Sequence, residues 1–130
     1  MRQLAIIYGL TVGTILTVAV ATSLAGEWDA AIATVRNASP VEGVSAETRT
    51  AWNELAAADR SALPTILRAM KDANPAAENW LRAAADAIAE RSLASDNELP
   101  ISDLQALFDD KNASPRGRRV AYEWIARVDN

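Results

Sequence analysis

Apolar side chains recur at intervals of three and four residues along the chain beyond residue 26, and this spacing constrains the fold more than any other feature. The clearest stripe begins at Leu63 and continues through Ile66, Leu67 and Met70. Apolar residues at positions i, i+3, i+4 and i+7 lie on one face of an α-helix. Alanine is abundant and only five glycines occur, which also favours helix. The sequence therefore predicts an all-α fold.

About six helices are predicted. Three have predicted spans of about 27–36, 46–58 and 75–94, and three more begin near residues 61, 102 and 115. Pro75 and Pro115 stand at the first position of two of these helices, where a proline costs no hydrogen bond. No segment beyond residue 26 has the pattern of a β-strand.

Most of the predicted helices are preceded by a side chain that can cap them. A serine or asparagine oxygen can accept a hydrogen bond from a free N–H in the first turn of the helix that follows. The predicted N-caps are Ser45, Ser61, Asn74, Ser102 and Ser114. Ser102 is followed three residues later by Gln105, which is the spacing of a capping box.

Residues 1–25 have the composition of a secretory signal peptide. Arg2 is followed by an uncharged run that extends to Gly26, and small residues close the segment. A charged start, an apolar stretch and small residues before a cleavage site are the three parts of such a signal. The pattern predicts cleavage between Ala25 and Gly26, with a second choice after Ala21.

The rest of the chain is therefore predicted to be exported, to the periplasm, the cell envelope or the medium. The alternative to cleavage is a retained membrane anchor, because the apolar run of residues 4–21 approaches the length of a spanning helix. Both interpretations place residues 26–130 outside the cytoplasm.

The chain contains no cysteine and no histidine, which removes whole classes of site. Disulfides, thiolate metal sites and the commonest general base are all excluded. Aspartate and glutamate are numerous, but the sequence singles out no pair of them, and each is interpreted as part of a solvated helix face. We therefore predict no catalytic residues, no metal site and no cofactor.

Residues 112–129 combine four arginines with two large aromatic residues, a mixture also typical of nucleic-acid-binding segments. At 100° per residue, Trp124 lies on the apolar stripe, whereas Arg116, Arg119 and Arg127 lie on the other side of the helix. Without residues 1–25 the chain has 12 basic against 17 acidic residues, a net charge of −5. A nucleic-acid partner is therefore not predicted.

Two stretches of the chain, residues 63–90 and 104–129, share one pattern. Each has an apolar helix, an acidic residue at its end, an Asn-Pro or Ser-Pro turn, and a second helix with an early arginine. Aligning Arg82 with Arg118 also aligns Ala85 with Ala121. The sequence therefore predicts a repeat of about 36 to 41 residues, the length of a two-helix solenoid repeat.

These two units resemble HEAT-like repeats. In the first unit the residues that carry the resemblance are Leu63, Pro64, Thr65, Ile66, Leu67, Asp72, Pro75, Arg82, Ala85 and Ile88. In the second unit they are Asp110, Pro115, Arg118, Ala121, Trp124 and Ile125. The resemblance covers residues 61–129, with the best units at 61–94 and 102–129, whereas residues 27–58 match only as a generic helix pair.

The resemblance implies a short right-handed α-solenoid of three stacked helix hairpins, as in secreted bacterial HEAT-like proteins. In such repeats the arginine reaches the acidic residue at the preceding turn, so Arg82 is expected to pair with Asp72. Arg118 is expected to pair with Asp110, or with Asp109. The second helices of the hairpins usually line the binding side, which gives an expected interaction face of Glu78, Asn79, Arg82, Arg119, Tyr122, Glu123 and Arg127.

Four tryptophans lie on the predicted apolar stripes: Trp28, Trp52, Trp80 and Trp124. Large aromatic residues on such stripes usually anchor a core. We therefore interpret all four as core anchors, with an aromatic ligand platform as the alternative.

Together these features predict an exported, non-catalytic helical-repeat module, residues 26–130, that binds another protein or further repeats of a longer chain. Two alternatives stay open. One is that the chain is an N-terminal helical segment of a larger envelope enzyme, and the other is that it is a membrane-anchored structural protein. The membrane is expected as a partner only if residues 1–25 are retained.

Overall fold

The computed structural model describes residues 26–130, and the regular elements in them are helical. The α-helices span Asp29–Arg36 (α1), Ala46–Ala56 (α2), Leu63–Arg68 (α3), Pro75–Ala94 (α4), Ile101–Asp109 (α5) and Pro115–Asp129 (α6), and a 3₁₀ turn, Arg60–Ala62, leads into α3. The prediction of an all-α chain is confirmed for these residues. The predicted signal peptide, up to its cleavage site after Ala25, lies outside them. None of the described helices is long and apolar enough to cross a membrane.

Three of the five predicted N-caps are confirmed. The accepting side chains and donating amides are Ser45 and Thr48, Asn74 and Ala77, and Ser114 and Gly117, at 3.0, 2.9 and 3.3 Å. Each bond satisfies a first-turn N–H that has no partner within its own helix. In α4 and α6 the cap is followed directly by Pro75 and Pro115, so the predicted starts of these two helices are correct.

The other two predicted N-caps are wrong. The carboxylate of Asp59 accepts a hydrogen bond from the backbone N–H of Ser61 at 2.9 Å, so the helical turn begins before the serine. This bond holds the pKa of Asp59 below its ordinary value. Helix α5 begins at Ile101 without a side-chain cap. Gln105 donates to a carboxylate one turn later, at 3.2 Å, instead of reaching back to Ser102.

The helices pack as three consecutive pairs, α1–α2, α3–α4 and α5–α6, which we call hairpins 1, 2 and 3. Helix α4 is the central element, because it packs against α1, α2, α3 and α6. Helix α5 packs against α6 and α3. Hairpin 2 therefore lies between hairpin 1 and hairpin 3.

A single apolar cluster extends through all three hairpins. Its fully buried large side chains are Leu55, Leu63, Ile66, Leu67, Met70, Leu81, Ile88, Leu104, Leu107, Val35 and Val120. Ala84, Ala85 and Ala121 are fully buried as well, and their small side chains let the helices approach closely. Residues 26–130 therefore carry a core of their own.

The four tryptophans differ in depth. Trp124 is only 5% exposed and belongs to the core. Trp28, Trp52 and Trp80 are partly buried and pack against the edge of the core. The rings of Trp52 and Trp80 meet edge to face, with 5.8 Å between their centroids. This pair joins hairpin 1 to hairpin 2.

Gly117, the third residue of α6, lies at a close approach between α6 and α3. A Cβ atom at this position would lie 2.6 Å from the backbone carbonyl oxygen of Leu67. A backbone oxygen cannot move aside as the end of a flexible side chain can, so this approach requires a glycine. No local pattern in the sequence indicates this role, because a glycine inside a helix is otherwise only a weak point.

Candidate functional site

Six of the seven residues predicted to form an interaction face lie along the line where α4 and α6 meet. We call this line the α4–α6 seam. Its polar side chains are Glu78, Asn79, Arg82, Asp86, Glu90, Arg116, Arg119, Glu123 and Arg127. On both helices these residues are separated mostly by three or four positions, so they occupy one flank of each helix. The seam is therefore a ladder of charged contacts between hairpin 2 and hairpin 3.

Arg82 is the centre of the seam. Its Nη2 atom donates to Oε2 of Glu123 at 2.7 Å, and its Nε atom donates to Oδ2 of Asp86 at 3.3 Å. The other carboxylate oxygen of Glu123 accepts from Nε of Arg119 at 3.0 Å. The other oxygen of Asp86 accepts from the indole N–H of Trp124 at 2.9 Å. Each of the four carboxylate oxygens therefore has a donor.

Each end of the seam is held by one arginine. At the first turns of the two helices, Nη1 of Arg116 donates to Oε2 of Glu78 at 3.0 Å, and Nη2 also reaches the side-chain oxygen of Asn79. At the last turns, Nη1 of Arg127 lies 3.9 Å from Oε1 of Glu90. These exposed pairs add only about 0–1 kcal/mol each to stability, and their main effect is to set the register of the two helices.

Trp124 was expected to lie on the other side of α6 from the outer arginines, Arg116, Arg119 and Arg127. For Arg127 this expectation is wrong. The guanidinium carbon of Arg127 lies 4.9 Å from the centroid of the Trp124 ring, which is a cation–π distance. Arg127 follows Trp124 by three residues, so the two side chains are neighbours on successive turns of α6. The long arginine side chain therefore covers the exposed edge of the indole.

The electrostatics of the seam favour its charged forms. Partial burial alone would raise the pKa of Glu123, but hydrogen bonds from Arg119 and Arg82 outweigh it and hold this pKa below its ordinary value. Desolvation alone would lower the pKa of Arg82, but its bonds to Glu123 and Asp86 outweigh that effect and raise it. A carboxyl group with a lowered pKa is a poor general acid near neutral pH. These groups are suited to structural ion pairing.

The predicted ion pair between Asp72 and Arg82 is wrong. The guanidinium of Arg82 is directed at hairpin 3, where it binds Glu123, and not at the turn that precedes α4. Asp72 has an exposed side chain and a φ of +57°. Aspartate tolerates this left-handed conformation better than most residues do. Its contribution is to the reversal of the chain between α3 and α4.

The predicted ion pair between Asp110 and Arg118 is also wrong. Asp110 accepts the backbone N–H of Asn112 at 2.9 Å and pairs with Arg68 of hairpin 2 at 2.9 Å. These two contacts hold the pKa of Asp110 below its ordinary value. Arg118 donates through Nε to the carbonyl oxygen of Phe108 at 2.7 Å. The arginine thus satisfies one of the last carbonyl groups of α5, which have no partner within that helix.

Tyr122 is the one predicted face residue that lies apart from the seam. It is 54% exposed, and its ring packs against Phe108 of α5 with 5.5 Å between centroids. The guanidinium of Arg118 lies 5.9 Å from the same phenyl ring. We call Phe108, Arg118 and Tyr122 the outer flank of hairpin 3. Helix α6 therefore has a charged flank towards α4 and an aromatic flank on the opposite side.

A groove of about 670 Å³ lies where the loop before α5 meets the last turn of α6. Its lining residues are Leu93, Asp96, Asn97, Glu98, Leu99, Pro100, Ile101, Ser102, Asp103 and Val128. Val128 follows Trp124 by four residues and lies on the same side of α6, but it is 43% exposed, because the core ends one turn earlier, at Trp124. No local pattern in the sequence indicates the groove, since its two sides are distant in the chain.

Two features of the described acidic side chains concern metal binding and acid–base chemistry. Between residues 26 and 130, no group of three or more acidic side chains is arranged to hold a metal ion. The described carboxyl groups whose pKa clearly departs from its ordinary value, Asp59, Asp110 and Glu123, are all shifted downwards.

Compared with known proteins, the chain matches no protein-family model, no curated protein and no solved structure.

Proposed function

We propose that the chain is an exported, non-catalytic scaffold, a short HEAT-like array of three stacked hairpins that binds another protein. The observation that carries this proposal is the regular separation, along the sequence, of the polar contacts between hairpins. Contacts between hairpins 1 and 2 join residues 28–36 positions apart. Contacts between hairpins 2 and 3 join residues 37–42 positions apart. A narrow range of separations is what the stacking of two-helix repeats requires.

The direction of these contacts also supports stacking. Arg36 at the end of α1 donates to the carbonyl oxygen of Lys71, just after the end of α3, at 3.0 Å. Arg68 at the end of α3 pairs with Asp110 at the end of α5. Along the seam, contacts advance from the first turns of α4 and α6 to their last turns. Helix α3 thus lies beside α5, and α4 beside α6, with the corresponding ends of the helices together.

The chemistry of the chain supports binding over catalysis. It has neither cysteine nor histidine, and the shifted carboxyl groups Asp110 and Glu123 are stabilised in their ionised form. A general acid that works near neutral pH needs the opposite shift. The arginines opposite these carboxylates are already engaged in contacts between hairpins.

The proposed binding side is the one formed by the second helices. There Arg119 and Arg127 expose 79% and 61% of their side chains, whereas Arg82 at the centre of the seam is committed to Glu123 and Asp86. The two outer arginines are therefore the basic side chains of the seam most accessible to a partner. Arginine is well suited to this role because it forms several directed hydrogen bonds at once.

In-cell photo-crosslinking tests the proposed function. A photoreactive amino acid replaces Arg119 in the full-length chain, and a matched variant carries it in place of Ala33, an exposed residue of the first helix α1. We expect one dominant adduct with another protein from position 119 and none from position 33, read by mass spectrometry. Equal, diffuse labelling from both positions would contradict a specific binding side.

The intact mass of the protein recovered from the envelope tests export. We expect a mature chain that begins at Gly26, in the periplasm or envelope. Retention of residues 1–25 would support the membrane-anchored structural protein instead. A longer product that carries a further domain would support the alternative of a larger envelope enzyme.

A further inference from the structure

The outer flank of hairpin 3 combines two aromatic rings with a positive charge. Tyr122 is more than half exposed and stacks at 5.5 Å on Phe108, which is itself only partly buried. Arg118 is held beside them by its bond to the Phe108 carbonyl oxygen. The result is a partly exposed aromatic surface with a guanidinium held at its edge.

Internal repetition indicates what kind of surface would cover this flank. Phe108 follows Leu67 by 41 residues, and the same separation relates Leu104 to Leu63 and Leu107 to Ile66. Leu67 is fully buried, and hairpin 3 packs over its backbone. Within the described residues, Phe108 has no following hairpin at the corresponding place. A helix hairpin is therefore the shape that matches this flank.

The opposite end of the molecule carries a complementary surface. A groove of about 430 Å³ runs between α1 and α2, on the side of α2 away from Trp52 and α4. Its lining residues are Ala30, Ala31, Thr34, Ala46, Glu47, Thr50, Ala51 and Glu54. Six of these eight side chains are small, and Glu47 and Glu54 make the groove negative. No arginine or lysine of the described residues forms a salt bridge with either carboxylate.

We infer that a second copy of this chain places its α1–α2 groove over the outer flank of hairpin 3, so that copies stack head to tail. The inference rests on the stacked array of the proposed function and extends it from one chain to the next. The rings of Phe108 and Tyr122 fill the groove of small residues. The guanidinium of Arg118 faces the carboxylates of the groove, so size and charge both match. Because the two surfaces are different, the contact leaves a free flank and a free groove, and further copies can add.

A mixing experiment tests this inference on residues 26–130, which carry the described core. Tyr122→Arg blocks the flank and leaves the groove intact, whereas Thr50→Arg blocks the groove and leaves the flank intact. Sedimentation equilibrium is run from about 1 μM to about 1 mM protein, a range that covers weak and moderate affinities. We expect the average mass of the unsubstituted chain to rise steadily with concentration. Each variant alone stays at the monomer mass, and their equimolar mixture forms dimers that do not grow further.

The control is Asn53→Arg, which adds the same charge to an exposed position of α2 that does not line the groove. It should associate as the unsubstituted chain does, and circular dichroism should give all variants the same helix content. A chain that stays monomeric over the whole range would overturn the inference, and so would variants that still associate or a mixture that stays monomeric. Crosslinking to a different protein at position 119 does not depend on this result, so the two proposals fail separately.

Discussion

Helix α4 is joined to α2 on one side and to α6 on the other, and the two junctions use different acceptors. Towards α2, the acceptors are backbone carbonyl oxygens. The indole N–H of Trp52 donates to Trp80 at 3.0 Å, and Arg91 donates to Ala56 and, at 2.7 Å, to Ala58. We call this set the α2–α4 junction. Its acceptors are neutral and cannot be protonated in the accessible pH range.

Towards α6, most of the acceptors are carboxylates. Arg82 binds Glu123 and Asp86, and Asp86 also accepts the indole N–H of Trp124. Ionised acceptors make stronger hydrogen bonds than neutral ones, but salt screens them and acid removes their charge. Two junctions with similar geometry should therefore respond differently to solution conditions. The α2–α4 junction should be indifferent to salt and acid, and the α4–α6 seam should be sensitive to both.

The largest difference in stability between the two junctions should come from substitution of their tryptophans. Trp124→Ala removes a core side chain and is expected to lower the free energy of unfolding by about 3–5 kcal/mol. Trp52→Ala removes a partly buried side chain, so its expected cost is smaller, about 1–3 kcal/mol. Urea denaturation of residues 26–130 measures both values. Equal losses would mean that the α2–α4 junction contributes as much apolar burial as the seam does.

Gly117→Ala should be the next largest effect, because it tests the close approach that sets α6 beside α3. The new Cβ atom would meet the Leu67 carbonyl oxygen, and we expect a loss of about 1–3 kcal/mol in the free energy of unfolding. The reverse change at an exposed helical site, Ala83→Gly, measures helix propensity alone, about 1 kcal/mol. Propensity favours alanine, so a stabilised Gly117→Ala protein would show that the two helices are not in tight contact.

Two matched arginine substitutions separate the junctions by their response to salt. Arg82→Gln in the seam and Arg91→Gln in the α2–α4 junction should each cost about 1 kcal/mol or less at low salt, because both side chains are partly exposed. At about 1 M NaCl, where charges are screened over about 3 Å, the cost of Arg82→Gln should shrink. The cost of Arg91→Gln should change less. A cost of Arg82→Gln that does not depend on salt would contradict the ionic character of the seam.

The smallest predicted effect is the response of the seam to acid, carried by Glu123. Because the pKa of this carboxyl group is lower in the folded protein than its ordinary value of 4.5, its ionised form stabilises the fold. This stabilisation is fully present above pH 4.5 and is lost as the pH falls through the lowered folded-state pKa. Acid should therefore lower the free energy of unfolding less in Glu123→Gln than in the unsubstituted chain. The expected difference in this loss between pH 7 and pH 3 is under about 1 kcal/mol. Thermal unfolding between pH 7 and pH 3 measures this, and Glu42→Gln, at an exposed position between α1 and α2, serves as the control.

Local sequence determined the helices and most of their starts. The three- and four-residue spacing of apolar side chains places each helix, and an acceptor such as Asn74 or Ser114 satisfies a first-turn N–H three residues away. These interactions lie within one turn of helix, so they can be predicted without knowledge of the fold. The same reasoning failed at Ser61, because the carboxylate of Asp59 accepts the backbone N–H of Ser61 and so starts the helical turn before the serine.

Tertiary structure decided which charges meet and which surfaces stay open. Arg82 has acidic residues near it in sequence, such as Asp72 and Asp86, but its shortest contact is to Glu123, 41 residues away. A guanidinium on a long side chain can reach several carboxylates, so its partner depends on how neighbouring hairpins are rotated against each other. Gly117 and Val128 follow the same rule. The contact of Gly117 and the exposure of Val128 depend on helices that are distant in sequence. No local pattern therefore indicates either of them.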